Sequence, residues 1–402
     1  MQIRQSQGVT APEGFRAAGL HCGIKKSRSP DLALIVSDVA GPIAGVFTQN
    51  RVVAAPVQLN RLHLKHHQGR AIVVNSGNAN ACTGPQGFAA AHAMAAAVAQ
   101  ALSIPLHQVF VGSTGVIGRP LPIDRIKRHI PHLIARLTRR GSIQAARAIL
   151  TTDLKPKTVV VRGLIDGTAI TIGGIAKGSG MIHPHMATML AFLTTDAAVE
   201  PLSLQRALRS VVNRTFNCIT VDGDTSTNDM VLCLANGMAR NRTIRAGTRQ
   251  YRKFEELLGE ASDRLALAIC QDGEGVTKVV KIEVRGASTV AAAKRVASTV
   301  ATSNLVKTAL FGEDANWGRV MAAIGRAGVP INPDNITVCF DSIVMVKKGM
   351  GTGPIAEQKI ARVFRQPQFT ISIDLGEGQA QAHMWTTDLS YEYIRINASY
   401  RS

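Results

Sequence analysis

The stretch KGSGMIHPHMATMLAF, residues 177–192, sets a glycine-rich segment and two histidines ahead of an apolar run that carries one hydroxyl, Thr188. A threonine hydroxyl is a weak nucleophile and needs a base. A cut between Ala187 and Thr188 would place a free α-amino group, with an ordinary pKa of about 8, on that same residue. The loose Lys177–Gly180 segment would let the bond strain and the new end withdraw. Spacing alone favours the plainer reading, a β-branched residue in a strand.

Other segments hold reactive groups of lesser specificity. VFVGSTGVIG (109–118) reads as a strand running into a small-residue turn. There Thr114 and Gly115 could aim a hydroxyl and a backbone N–H at one oxyanion, although glycine-rich turns after strands are common. VDGDTSTND (221–229) gathers Asp222, Asp224 and Asp229. It lacks the sixth-position glycine and spaced glutamate of a calcium loop, so a hydrogen-bonded turn is the simpler reading. QDGEGVTK (271–278) puts Glu274 between two glycines, where it could hold an ammonium group or sit in a helix-ending loop. His183 and His185 flank Pro184, but two histidines are not a metal site, and no metal is expected.

These groups need elements to hold them. β-rich runs pair early, at 31–38 and 41–49, and GRAIVVNSGNANACTG, 69–84, runs a strand into a Gly/Asn turn. An Ala-rich helix covers 88–104, and a basic helical region 121–150. A hairpin spans 157–180, with Asp166-Gly167 as its turn. A buried strand at 187–199 and a helix opened by Pro201 follow. Residues 217–237 read as strand, acidic loop, then strand or helix, and 251–275 as a strong amphipathic helix. A strand at 278–287, two Ala/Val helices and β-rich runs at 336–349 and 368–387 complete the chain. The mixture is not in strict βαβ alternation, which argues for a layered α+β or αββα fold.

Composition narrows the class. The 402 residues suggest two or three units, and 46% hydrophobic content suffices for a core. The net charge of +19 raises nucleic acid as a partner. Yet aromatics are only 4%, too few for base-stacking platforms. RIKRHIPHLIARLTRRG (125–141) spaces its apolar residues as a helix does, so its charges read as a solvated face. No nucleic-acid partner is expected. Six cysteines are scattered without a C-x-x-C pair, as for buried thiols in a reducing compartment. No apolar leader is visible, and the 88–104 stretch is broken by His92 and Gln100. A cytoplasmic protein with no membrane span is the expectation.

Taken in order, the segments are far more specific than singly. NSGNANACTG (75–84), GSTGVIG (112–118), KGSGMIHPHMATML (177–190), ITVDGDTSTND (219–229), DGEGVTK (272–278), SNLVKTALFGEDANWGR (303–319) and YIRINASYRS (393–402) resemble the ornithine acetyltransferase family. These are self-processing glutamate N-acetyltransferases of arginine biosynthesis. The resemblance runs from about residue 8 to the end. It implies an αββα-like sandwich akin to N-terminal nucleophile hydrolases, cut at Ala187–Thr188 into an N-terminal chain, 1–187, and a C-terminal chain, 188–402. Thr188 would then carry acetyl from N-acetylornithine to glutamate.

By the same resemblance Thr114 and Gly115 form the oxyanion hole. Substrate contacts fall on Thr152, Lys177, Thr188, Glu274, Asn397 and Ser402. The resemblance also implies no cofactor, with acetyl-CoA a co-substrate only in a bifunctional enzyme, and a heterotetramer of two α and two β chains. Met230, Val276 and Ser402 depart from the more usual family residues. The competing readings are an N-terminal-nucleophile amidohydrolase or aminopeptidase, which would pass the acyl group to water, and a basic binding protein without catalysis.

Overall fold

The computed structural model describes residues 7–183 and 189–399. It divides into two compact units. One runs up to Asn217 and includes Asp224–Ile269; the other joins Cys218–Gly223 to the segment from Cys270 onward.

The first unit contains β1 (Phe15–Leu20), β2 (Leu32–Phe47), α1 (Ala55–His63), β3 (Gln68–Asn78), α2 (Gly84–Leu102), β4 (Val109–Val116), α3 (Ile123–Ala135) and α4 (Ser142–Ala148). These are followed by β5 (Lys157–Ile165), β6 (Thr168–Lys177), β7 (Leu190–Thr195), α5 (Pro201–Arg214), β8 (Met230–Ala235) and α6 (Arg249–Gln271). The strands are ordered β4-β3-β2-β8-β7-β6-β5, with β1 also on β2. The β3–β4 and β7–β8 pairs are parallel and the other pairs antiparallel.

Two runs were expected at 31–38 and 41–49, but the chain forms one strand of 16 residues. Residues 32–36 of β2 pair with β3 and residues 43–47 with β8, and the register shifts between Val36 and Gly41. A Cβ on Gly41 would lie 2.0 Å from the Ala235 carbonyl oxygen, so only glycine allows this approach. The bend folds the sheet onto itself. Ala33, Ile35, Ile72, Val74 and Phe110 from one half pack with Ile175, Leu190, Phe192 and Leu232 from the other. On the outer face of the first half, Leu32, Leu34, Val36, Val73 and Val111 meet α2 and α3. On the second half α6 brings Leu257 against Gly163 and Leu265 against Gly174. The unit is thus an αββα sandwich, and the α+β class expected from the sequence holds.

The second unit holds β9 (Val279–Ala287), α7 (Val290–Ala301), α8 (Asn304–Phe311), α9 (Trp317–Gly325), β10 (Thr337–Phe340), β11 (Ile343–Lys347) and β12 (Met350–Gly351). Then come α10 (Pro354–Phe364), β13 (Gln368–Asp374), β14 (Ala380–Thr387) and α11 (Tyr391–Ser399). Its strands are ordered β12-β11-β10-β13-β9-β14. Val280, Ile282 and Val284 of β9 bury against α7, α9 and α10. The alternate residues Lys281 and Glu283 form an ion pair on the opposite face. Three helices follow β9 where two were expected, because Ser303 and Asn316 each cap a new N-terminus. Residues 217–221 are no strand but a short 3-10 turn, at Phe216–Cys218, and one isolated bridge.

The basic helix behaves as expected, with Ile126, Ile130 and Leu133 buried and its Arg and Lys outward. The Asp166-Gly167 turn closes β5 onto β6, both residues at positive φ. Four of the six cysteines are buried, as expected, whereas Cys82 is exposed and Cys339 half-buried. No helix among the described residues is long and apolar enough to cross a membrane.

Strand β4 lies at the open end of the first sheet, and side chains replace the missing neighbour. His63 Nδ1 meets the Val109 carbonyl at 2.8 Å. Asn60 Nδ2 donates to the Val111 carbonyl at 2.7 Å, and Val111 N–H donates to Asn60 Oδ1 at 2.9 Å. Asn60→Leu would leave both Val111 groups buried and unpaired, at a cost of about 2–4 kcal/mol. We expect its thermal midpoint to fall by several degrees; a midpoint within one degree of wild type would contradict this role for Asn60.

Candidate active site

Along β4, residues 109, 111 and 113 present backbone groups to the open edge, and each is met by a side chain. The last is Ser113, whose carbonyl accepts from Asn228 Nδ2 at 2.9 Å. Gly115 is next in that alternation. It adopts φ +127°, and a Cβ there would lie 2.4 Å from the Gly77 carbonyl carbon and 2.6 Å from Asn78 N. The residue must therefore be glycine. Thr114, 3% exposed, faces the other way, in register with Ser76 and Asn78 of β3. The turn expected to form an oxyanion hole is thus the uncapped continuation of an edge strand.

Asn228 and Asp229 reach in two directions. Asn228 binds the carbonyls of Ser113 and Ala79. Asp229 Oδ1 accepts the Met189 N–H at 2.9 Å. The next residue, Met230, donates its N–H to the Met189 carbonyl at 3.2 Å. This short segment therefore links the Thr114–Gly115 strand to the residue that follows Thr188. Asp229 is fully buried, and burial pushes its carboxyl well above the usual range, against the Met189 N–H. Ala187 and Thr188 themselves, His185, and Ser402 lie outside the described residues.

At the end of β6, Lys177 is 2% exposed, and its Nζ donates to Thr151 Oγ1 at 2.9 Å. Asp153 stands between two lysines. Its Oδ1 accepts from Lys157 Nζ at 2.6 Å and from Gly178 N–H at 2.7 Å, and its Oδ2 lies 3.7 Å from Lys177 Nζ. Burial alone would raise the Asp153 carboxyl, but Lys177, Lys157 and the Gly178 N–H outweigh it and hold it well below the usual range. Thr152 Oγ1 and Ser179 Oγ are 2.7 Å apart. Thr152 and Lys177, 25 residues apart in sequence, thus belong to one buried polar cluster. Lys25 joins it from β3's side. Its Nζ donates to the Leu150 carbonyl at 2.6 Å, and burial pushes its ammonium down to about 8. Its side chain also passes beside Gly77, where a Cβ would lie 3.1 Å from Lys25 Cγ.

In the second unit, Asn397 Nδ2 donates to Glu274 Oε2 at 2.9 Å. Gly275, at φ +67°, lets its loop lie against α11, where a Cβ would be 2.4 Å from Tyr393 N. Ser390 Oγ donates to the Gly275 carbonyl at 2.6 Å. Asp388 fixes the far side of the loop by accepting from Thr277 N–H, Thr277 Oγ1 and Lys278 N–H. Lys307, buried within this unit, donates to the Thr386 and Thr387 hydroxyls and the Thr387 carbonyl. No group of side chains able to hold a metal ion occurs among the described residues.

The arrangement has counterparts among known proteins. The ArgJ family model matches residues 16–402. The chain belongs to the ArgJ family. It is 49% identical over 399 residues to the arginine biosynthesis bifunctional protein ArgJ of Symbiobacterium thermophilum, covering 98% of each chain. It is 48% identical over 390 residues to that of Geobacter sulfurreducens, covering 97% of this chain and 99% of the relative. The crystal structure of arginine biosynthesis bifunctional protein argJ from Bacillus halodurans superposes with a TM-score of 0.50 at 43% identity. That match takes in 52% of this chain and 98% of the solved one.

Within this ArgJ-family chain the residues singled out by sequence fall into three groups. Thr114 and Gly115 sit on β4, Thr152 and Lys177 share the Asp153 cluster, and Glu274 pairs with Asn397. Residue-by-residue reading missed Asp153, Asn228 and the reach of Asp229. Asp153 had one faint signal, an acid close to Lys155 and Lys157.

The Asp153 pairing has a pH signature. Its folded pKa is depressed, so its contribution is present above the unfolded value of about 4 and is lost as pH falls through the folded one. Asp153→Asn should lose about 3–5 kcal/mol at pH 7 by removing the carboxylate charge that two buried lysines face. Its melting temperature should also fall less steeply than wild type between pH 5 and pH 2. Parallel acid limbs would argue against the assignment.

Proposed function

We propose that the chain is a self-processing acetyltransferase that moves acetyl from N2-acetyl-L-ornithine to L-glutamate in arginine biosynthesis, after a cut between Ala187 and Thr188. Membership in the ArgJ family supports the pathway and the enzyme class. The observation that carries the mechanism is the Asn228–Asp229 link, which ties the Thr114–Gly115 strand to the backbone next to Thr188. Acyl transfer needs its oxyanion donors at hydrogen-bond distance from the carbonyl oxygen that the nucleophile's attack makes an oxyanion, and this link supports such a relation.

The chemistry is ping-pong. The Thr188 hydroxyl attacks the acetyl carbonyl of N-acetylornithine and its α-amino group takes the proton. The tetrahedral oxyanion is met at Thr114 and Gly115. Ornithine leaves with that proton; glutamate's amino group then attacks acetyl-Thr188, the Oγ–acetyl ester bond breaks, and the proton lost by the amine returns through the α-amino group to the Thr188 hydroxyl. Lys177 suits a substrate carboxylate and Glu274 a substrate ammonium, with Thr152, Asn397 and Ser402 completing the contacts.

The strand register favours the cut. Lys177 pairs with Leu190, so β6 and β7 stay hydrogen-bonded neighbours on either side of 187/188. The implied pieces, 1–187 and 188–402, both contribute strands to one sheet, and neither coincides with a compact unit. The Bacillus halodurans chain, matched almost whole by about half of this one, has the length expected for one product of a single cut. A heterotetramer of two α and two β chains, a cytoplasmic location and the absence of any cofactor belong to the same proposal.

A second reading adds acetyl-CoA as an acetyl donor for glutamate. It is favoured by the word bifunctional in the names of both curated relatives.

Intact mass under denaturing conditions tests the cut. We expect two fragments dividing before Thr188, and Thr188→Ala to stay whole at 42.8 kDa. A whole wild-type chain that releases no ornithine from N-acetylornithine would sink the reading. For the oxyanion turn, Gly115→Ala should lower kcat by about 100-fold or more. A variant turning over at the wild-type rate would remove Gly115 from the mechanism.

A further inference from the structure

The loop that carries Glu274 and the helix that carries Asn397 meet through one hydroxyl. Ser390 directly precedes α11 and is 3% exposed. Its Oγ accepts the Tyr393 N–H at 3.2 Å, as an N-cap does, and donates its proton to the Gly275 carbonyl at 2.6 Å. The approach is close, since a Cβ on Gly275 would lie 2.7 Å from that Oγ. Gly275 follows Glu274 directly, and the two form the corner of a turn that the Val276 N–H closes on the Gly273 carbonyl at 3.1 Å. Asn397 lies about two helical turns beyond Ser390, so both fall on one face of α11.

The pair that this hydroxyl serves is itself constrained. Asn397 Nδ2 divides its two protons between Glu274 Oε2 at 2.9 Å and the Tyr393 carbonyl at 3.0 Å. The Glu274 carboxyl, on a residue 8% exposed, is thus aimed by a side chain whose own direction α11 sets. The far end of the loop is pinned separately, by Asp388 on Thr277 and Lys278. Asp388 is fixed by its chain neighbours, because the Leu389 N–H donates to the Lys307 carbonyl and Lys307 Nζ to the Thr387 carbonyl. Loss of the Ser390 proton would therefore release the Glu274 end of the loop while Asp388 keeps the other.

We propose that Ser390 is the positioning residue for donor recognition, setting the Glu274 carboxyl against Asn397 so that it meets the side-chain ammonium of N-acetylornithine. The inference rests on the reading of Glu274 given above. Acetyl covers the α-nitrogen of the donor, so its ammonium is the one at the side-chain end. Glutamate ends there in a carboxylate and gains nothing from Glu274. The Ser390 hydroxyl thus bears on one half of a ping-pong reaction, in which kcat/KM for each substrate reports its own half.

The test measures kcat/KM for N-acetylornithine and for glutamate in Ser390→Ala, Ser390→Thr and Glu274→Gln, with melting temperatures beside them. Ser390→Ala should lower the value for N-acetylornithine at least tenfold and that for glutamate less than threefold. Ser390→Thr keeps a hydroxyl that can cap a helix, and should recover the donor value to within threefold. Glu274→Gln should reproduce the alanine pattern. A hydroxyl that only caps α11 would lower the melting temperature and leave both constants unchanged, or lower both alike; either result overturns the proposal. Wild-type constants in Glu274→Gln would overturn the reading of Glu274 and the proposal with it. A selective loss in Glu274→Gln that is missing from Ser390→Ala overturns the proposal alone. Should Ser390→Ala not fold, Ser390→Cys takes its place under the same criteria, since a thiol fills similar space but donates only weakly.

Discussion

The first unit depends on how it closes the free edge of β4. An edge strand leaves a row of backbone groups unpaired, and here α1 and the 226–229 loop supply side chains in place of a further strand. His63, Asn60 and Asn228 satisfy three successive outward positions, and the series stops before Gly115. No fourth side chain is seen at Gly115 among the described residues, and Gly115 is the position proposed above to face an oxyanion. The donors proposed at Thr114 and Gly115 thus belong to a strand held by its caps, which is what preorganised stabilisation would require.

The same economy governs the charged interior. Asp153 sets one carboxylate against Lys157 and Lys177, and a backbone N–H from Gly178 completes its shell. Charges this deeply buried survive only when paired and hydrogen-bonded. Once paired they hold the ends of β5 and β6 and the Thr151–Asp153 turn in one arrangement. Lys25, reaching the Leu150 carbonyl, continues the network toward Gly77, against which Gly115 packs. The polar cluster and β4 are therefore parts of one connected interior. The second unit keeps its own set, in which Asp388 and Ser390 brace the loop that presents Glu274 to Asn397.

A strand order that brings β6 beside β7 bears on the cut proposed between Ala187 and Thr188. The chain can be severed between them without separating its parts, because the sheet, not the peptide link, joins them. β7 is also paired to β8, and β8 to β2, so the two strands that follow 187/188 lie side by side between strands that precede it.

Much of this was legible in the chain itself. The Asp-Gly turn, the Pro-opened α5, the amphipathic α6 and the solvated face of α3 follow from local rules, since periodicity and φ preference act within a few residues. The ordered motifs, through the family they resemble, pointed to Thr114, Gly115, Thr152, Lys177, Glu274 and Asn397 as the residues of the expected site. The continuity of β2 was not legible. Its two halves look like separate strands until Ala235 is seen against Gly41, a contact nearly 200 residues distant. The meaning of Asp153, Asn228 and Asp229 was hidden for the same reason. Locally an Asp in TTD or STND is a turn residue, and what distinguishes it is a lysine or a backbone N–H brought alongside by the sheet. Sequence determined the elements and the reactive groups; only tertiary structure decided which carboxyl is buried, what it holds and which strand edge stays open, because desolvation and pairing are properties of neighbours rather than of residues.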